Sequence, residues 1–282
     1  MKRLLTVQDI SCVGKCSLTA ALPVISAMGV EACPLPTALL SCHTAFDHFS
    51  FLDLTEEIPK IEQAWQEENL TFDTIVSGYL GSVRQIELVK ELGKRFRANP
   101  GCLQIVDPAM ADHGKLYAGF DGEFVEAMKS LCRSADVIVP NLTEACLLTG
   151  TEYTGEMEES FCRELLEKLA EAGCHRILLT GYQEADGIGV LSLHRENGKN
   201  VFRKYLNERL PGSYHGTGDI FASVLSGALT LGKSLEEAQE LAVDFTLECI
   251  RKTAEDPQRR AYGVNFEEAL PFLWNRLWDK KA

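Results

Sequence analysis

Five consecutive residues, His215-Gly216-Thr217-Gly218-Asp219, carry the groups that a phosphoryl transfer needs. Behind them Ile220, Phe221, Val224, Leu225, Ala228 and Leu229 recur at the spacing of a core-facing helix. Two glycines at the start of that helix leave backbone N–H groups unobstructed. The helix end adds a partial positive charge, so the turn suits an anion. Asp219, in the first turn, competes with such an anion unless it has a task of its own. Taking a proton from an attacking hydroxyl while the glycyl amides hold the transferred phosphate would be that task. In isolation, a glycine-rich turn whose aspartate only complements the helix dipole is the simpler account. The rest of the chain decides between them.

A second stretch, Asp107-Pro108-Ala109-Met110-Ala111-Asp112-His113-Gly114-Lys115-Leu116-Tyr117, puts two carboxylates and a lysine beyond a strand. Asp107 or Asp112 could organise a hydrated Mg²⁺ there, and Lys115 could meet a phosphate. An Asp-Pro turn leading into a solvated loop explains the same residues. Asn141-Leu142-Thr143-Glu144 has the spacing of a capping box, which accounts for it fully. The functional alternative is Glu144 holding a metal-bound water near a nucleotide. There is no G-x-S-x-G elbow, no Walker lysine motif and no G-x-G-x-x-G, so a hydrolase triad, a P-loop and a dinucleotide fingerprint are unsupported.

These residues need elements to position them. Arg3 to Gln8 reads as a buried strand ending at Asp9, Ser17 to Met28 as a helix closed by Gly29, and Val30 to Pro36 as a strand. After a polar, aromatic loop come a helix over 55–68 and a strand from Phe72 to Val76. Ser82 caps a helix over 83–97. A strand over 102–106, a helix over 121–133, a short strand over 137–139 and a short helix closing at Gly150 follow. A helix over 158–172 leads to a strand from Arg176 to Leu179. The spans 188–193 and 201–205 form a hairpin through Asn197-Gly198. Helices over 235–252 and 266–278 complete the chain. Strands alternating with helices predict an α/β fold with a parallel sheet covered on both faces. No linker or repeat divides the chain, so residues 1–282 are expected to form one domain. Asp9, Ser77-Gly78-Tyr79, Asp107, Asn141 and Thr180-Gly181 all fall at strand C-terminal ends, where open α/β sheets place ligands.

Of 282 residues, 45% are hydrophobic and 24% charged, which suits a globular chain with a sizeable core. A formal net charge of −13 argues against nucleic-acid and anionic-membrane partners. No apolar run approaches the roughly 20 residues of a membrane span, and a cytoplasmic location is expected. The ten cysteines are scattered without a C-x-x-C pair, as reduced core cysteines are.

Taken together, the motifs resemble the ribokinase-like superfamily and, within it, the pyridoxal kinases. Val7-Gln8, Leu39-Leu40-Ser41-Cys42-His43-Thr44, Ser77-Gly78-Tyr79-Leu80-Gly81-Ser82, Asp107-Pro108-Ala109-Met110, Asn141-Leu142-Thr143-Glu144 and Gly216-Thr217-Gly218-Asp219 occur in that family's order. The resemblance spans nearly the whole chain. It implies a three-layer fold, a mostly parallel central sheet flanked by helices, and usually a homodimer. It implies an ATP-dependent kinase acting on the 5′-hydroxymethyl group of pyridoxal, pyridoxamine or pyridoxine, with Mg²⁺ and often K⁺. Asp219 then matches the catalytic base and Gly216, Thr217 and Gly218 the anion hole. Leu40, Thr44 and Tyr79 match the pyridine pocket, which Asp9 also faces. Asp107, Asn141, Glu144, Thr180 and Gly181 fall on the ATP side, with Asp107 and Glu144 nearest the metal. Three departures stand out. Asp9 replaces a serine that usually lies against the ring, and Gly181 stands where a nucleotide-side lysine is usual. His215 before the glycines is similar to hydroxymethylpyrimidine kinases, which usually carry cysteine in place of Asp219. A hydroxymethylpyrimidine kinase and a non-catalytic vitamin-binding sensor are therefore the alternatives.

Overall fold

The structure is a computed structural model describing residues 1–96, 101–185, 187–196 and 198–278. Its elements run β1 (Arg3–Ser11), α1 (Ser17–Ala27), β2 (Glu31–Leu40), β3 (Phe51–Asp53), α2 (Ile58–Glu67), β4 (Thr74–Ser77) and α3 (Val83–Phe96). Next come β5 (Leu103–Val106), the short β6 (Ala111–Asp112) and β7 (Lys115–Leu116), α4 (Gly122–Ser134), β8 (Val137–Ile138), α5 (Leu142–Thr149) and α6 (Glu159–Glu171). The remainder are β9 (Arg176–Glu184), β10 (Gly187–Glu196), β11 (Lys199–Glu208), α7 (Thr217–Thr230), α8 (Leu235–Glu255) and α9 (Phe266–Trp278).

One nine-stranded sheet has the order β11-β10-β9-β8-β5-β4-β1-β2-β3. From β2 to β9 every pairing is parallel, and β3, β10 and β11 join antiparallel at the two edges. Alternation along the strands feeds two cores, because successive side chains point to opposite faces. Leu5, Val7, Ile75, Val106, Ile138, Ile177 and Leu179 face a core shared with α2 to α6. Leu4, Val76, Ile105, Val137 and Leu178 face the other, built on α1, α7, α8 and α9. Helix caps are those the local sequence encodes. Ser82 Oγ accepts the Gln85 amide at 3.2 Å, and Asp121 accepts the amides of Glu123 and Phe124.

Several boundaries differ from the sequence reading. β1 continues past Asp9 to Ser11, so Asp9 lies inside the strand, beside an irregularity in its register with β2. The loop after β2 returns as β3, whose residues are all exposed and so lack the periodic burial that marks a strand in sequence. The strand from Arg176 does not stop at Thr180-Gly181. It runs to Glu184, and Gly181 is the extra residue of a bulge opposite β10, at φ +68°. Asn197, at the expected tip of the β10–β11 hairpin, and Arg97, at the expected end of α3, lie outside the described residues. No two of the ten cysteines are joined in a disulfide. Among the described residues no helix is long and apolar enough to cross a membrane.

Candidate active site

The parallel strands deliver their C-terminal ends, and the loops after them, to one edge of the sheet. There α7 begins. Gly216 is its N-cap at φ +78°, and a Cβ on it would lie 2.4 Å from the Lys15 carbonyl oxygen. Only glycine combines that left-handed backbone with so close an approach. Gly218, by contrast, faces open space, with nothing within 4 Å of where its Cβ would stand. Thr217 turns its hydroxyl back to the Tyr214 carbonyl at 3.4 Å, leaving the amides at the helix start toward the opening.

Asp219 lies one residue beyond Gly218. Burial raises its carboxyl to about 6; the Ser17 backbone N–H opposes this and the charge of Asp9 adds to it. Asp9 is 6% exposed, and burial raises its carboxyl as well, against the opposing effects of the Ser17 and Ser11 hydroxyls. Ser11 Oγ donates to Asp9 Oδ2 at 3.3 Å. Ser17 therefore serves both carboxylates. It does so from φ +45°, a left-handed conformation uncommon for a residue with a Cβ. Cys16, held between the two charges, is buried and its thiol is pushed up to about 12, so it stays protonated. His43 closes this corner, its ring 6.1 Å from that of His215. Desolvation and then His215 lower the His43 pKa, against a smaller opposing effect of Asp9.

Tyr79, half-buried after β4, feels the charge of Asp9 and stacks on Phe120 at 5.7 Å, and Phe120 stacks on Phe124 at 3.8 Å. A run of stacked rings thus leads from Tyr79, within reach of the Asp9 charge, to Phe124. Leu40 is buried at the end of β2, where its carbonyl accepts the Cys12 amide at 2.9 Å. Thr44 is exposed, and its neighbour His43 feels the charge of Asp9.

On the other side, Asp107 follows the end of β5. Desolvation first, then the charges of Glu144 and Asp219, raise its carboxyl well above the usual range. Its carboxylate accepts no hydrogen bond from the described residues. Glu144 is different. Its two oxygens accept the Asn141 amide at 2.9 Å and the Met110 amide at 3.1 Å, and burial pushes its carboxyl to about 7. Asn141 Oδ1 accepts the Glu144 amide in return, and Nδ2 donates to the Ala111 carbonyl at 2.9 Å. Asn141 and Glu144 therefore form a capping box that also fixes the loop after Asp107. Asp112 and Lys115 are exposed on the β6–β7 turn. Thr180 donates its N–H and hydroxyl to the Pro140 carbonyl, and Gly181 is exposed beside it.

A hydrated Mg²⁺ takes one or two carboxylates and fills its shell with water and phosphate oxygens. Asp107 fits that description. Its half-buried carboxyl lies near enough to Asp219 and Glu144 to feel their charges, while the Glu144 oxygens already accept two amides. Among the described residues no cluster of three or more potential ligands forms a metal cage. A cavity of about 260 Å³, lined by Tyr214, His215, Arg259, Arg260 and Gly263 among others, opens beside Gly216. None of the four carboxylates lines it, so the chemistry is assigned to the carboxylates rather than to this hollow. Sequence reasoning missed Lys15, Ser17 and Phe120, which belong to no motif and are tied in by long-range hydrogen bonds and stacking.

The family model for phosphomethylpyrimidine kinase matches residues 13–264. Pyridoxal kinase of Paraburkholderia xenovorans is 30% identical, the match covering 98% of each chain. The crystal structure of pyridoxal kinase from Lactobacillus plantarum superposes with a TM-score of 0.87 at 34% identity, covering 97% of this chain and 96% of that one. A Bacteroides thetaiotaomicron protein described with the phosphomethylpyrimidine kinases, crystallised with pyridoxal, is 40% identical at a TM-score of 0.87, with 96% and 95% covered. Kinase motifs in order, a close superposition and these relatives lead to one assignment: the chain belongs to the phosphomethylpyrimidine kinase family and, within it, to the pyridoxal kinases of ribokinase-like fold.

Proposed function

We propose that this protein transfers the γ-phosphoryl group of ATP to the 5′-hydroxymethyl group of a B6 vitamer. The observation that carries this reading is Asp219, a carboxyl held near 6 in the first turn of α7, next to a glycine whose outer side is open. Ionised at neutral pH, it accepts the hydroxyl proton as the new P–O bond forms and the bond to ADP breaks. The amides of Thr217 and Gly218 face the phosphoryl oxygens, where helix dipole and N–H groups stabilise negative charge without rearranging. Asp9 and the Tyr79–Phe120 wall take the ring. Mg²⁺, held by Asp107 and water, supplies neutralisation of the phosphate charge when bound; K⁺ belongs to the same family expectation. A homodimer is inferred too, with support from the exposed Phe49, Phe51 and Leu52 along the β3 edge.

The test is MgATP turnover with pyridoxal, pyridoxamine, pyridoxine and hydroxymethylpyrimidine side by side. Turnover of the B6 vitamers above the pyrimidine is the expected result. Turnover of the pyrimidine alone would favour the second reading, which the family model's description and His215 both support. No turnover of any alcohol would remove the kinase reading.

Asp9 should set the choice among vitamers. An ionised carboxylate only accepts hydrogen bonds, so it favours a ring nitrogen carrying a proton, a 3-hydroxyl or the aminomethyl group of pyridoxamine. A charge-assisted bond is worth roughly 1.5–3 kcal/mol, or about tenfold and more. Asp9→Ser is expected to shift the ratio of kcat/KM by that factor away from pyridoxamine and toward pyridoxal. A ratio within twofold of the parent would mean that Asp9 does not read the substrate.

A further inference from the structure

Lys15 sits in the five-residue turn between β1 and α1, and it is tied down at three points. Its backbone N–H donates to the Tyr262 carbonyl at 3.3 Å. Its ammonium donates to Asn265 Oδ1 at 3.0 Å and to Glu267 Oε2 at 2.8 Å, with only 19% of the side chain exposed. Asn265 is itself fixed: its amide donates to Thr253 Oγ1 at 2.7 Å, and its Nδ2 to Asp256 at 3.0 Å. The anchor therefore belongs to the end of α8 and the start of α9, not to the cleft.

The backbone of Lys15 is pressed between two glycines. A Cβ on Gly216 would stand 2.4 Å from the Lys15 carbonyl oxygen, and one on Gly263 would stand 2.4 Å from the Lys15 Cβ. The carbonyl thus backs the first residue of the anion-binding turn. Two residues on, Ser17 turns its amide to Asp219 and its hydroxyl to Asp9. The anion-binding turn, the base and the ring-facing carboxylate are all referenced to one short loop.

We propose that Lys15 is a positioning residue, whose ammonium, clasped by Asn265 and Glu267, holds the 14–17 loop so that it sets Gly216 and Asp219 in register. Misplacement of reacting groups by about 1 Å is enough to cost on the order of 100-fold in rate. Losing the clasp therefore acts on kcat. The kinetic arm rests on the kinase reading above; hydrogen exchange does not.

Lys15→Met keeps the apolar stem and removes the charge. The expected result is a fall in kcat of at least tenfold with KM for MgATP and vitamer within threefold. Amide exchange should accelerate in 12–18 and 214–219 while β1, β4 and β5 keep their protection, a local loosening that general destabilisation would not produce. Glu267→Ala, which leaves Lys15 to Asn265 alone, should show both effects in smaller measure and serves if the methionine variant does not fold. Unchanged exchange in both loops overturns the proposal, whatever the turnover. So does a kcat within twofold of the parent in an active enzyme. If the parent shows no kinase activity, faster exchange confined to the two loops still supports the clasp.

Discussion

Asp219→Asn should lower kcat by ~10²–10⁴-fold, the usual contribution of an aligned general base, with KM for both substrates nearly unchanged. An alcohol is a poor nucleophile at neutral pH, and the asparagine keeps the shape while losing the proton acceptor. The parent enzyme should show the complementary pH dependence. Burial, with Asp9 adding to it, places the Asp219 carboxyl at about 6, so the base is lost as pH falls through that value and kcat falls with it. The acid limb should be absent from the variant's residual activity. Near-parent turnover by pure Asp219→Asn would take Asp219 out of the mechanism.

The two glycines of the turn should fail in different ways. Gly218→Val adds a side chain into space the protein does not fill, so the melting temperature should stay within a few degrees of the parent. That space is where the phosphate would sit, and turnover should be abolished. Gly216→Ala meets a left-handed φ of +78° and the Lys15 carbonyl at 2.4 Å, so it should destabilise the fold. Strain of this kind costs roughly 1–3 kcal/mol, enough to lower the melting temperature visibly. Thermal melts and turnover on the same preparations separate the cases. An active Gly218→Val enzyme would show that the phosphate binds elsewhere.

Much of this was legible in the chain because it depends on local rules. Strand and helix alternation gave the layers, and Ser82, Asn141 and Gly150 cap or close their helices as residues of those types do. Asp9 and Asp107 were readable from their places at strand ends, and Asp219 from its place in the first turn of a helix. What was not legible depends on long-range geometry. β3 carries no buried face, so its three residues look like loop. Gly181 looked like the end of a strand because a bulge glycine and a terminating glycine read alike. That the Glu144 oxygens accept two amides, one of them from a residue 34 positions away, is visible only in the fold. Ser17 gives no signal at all: its role lies in a backbone conformation that the residue type disfavours.

The pairing of α1 with α7 on the same face of the sheet has a consequence for how the molecule is made. Asp9 and Asp219 are separated by 210 positions in the chain. Strands added outward from β1 can assemble as they are synthesised, each beside a strand already made. The apolar face of α1, with Leu18, Val24 and Ile25 on or near it, has no cover until α7 to α9 arrive. Contacts of such sequence separation are slow to close, and a nascent chain that stops short of α7 carries an open hydrophobic face and no base. The catalytic cleft is therefore the latest part of the molecule to form, and an incomplete chain is both inert and prone to stick to its neighbours.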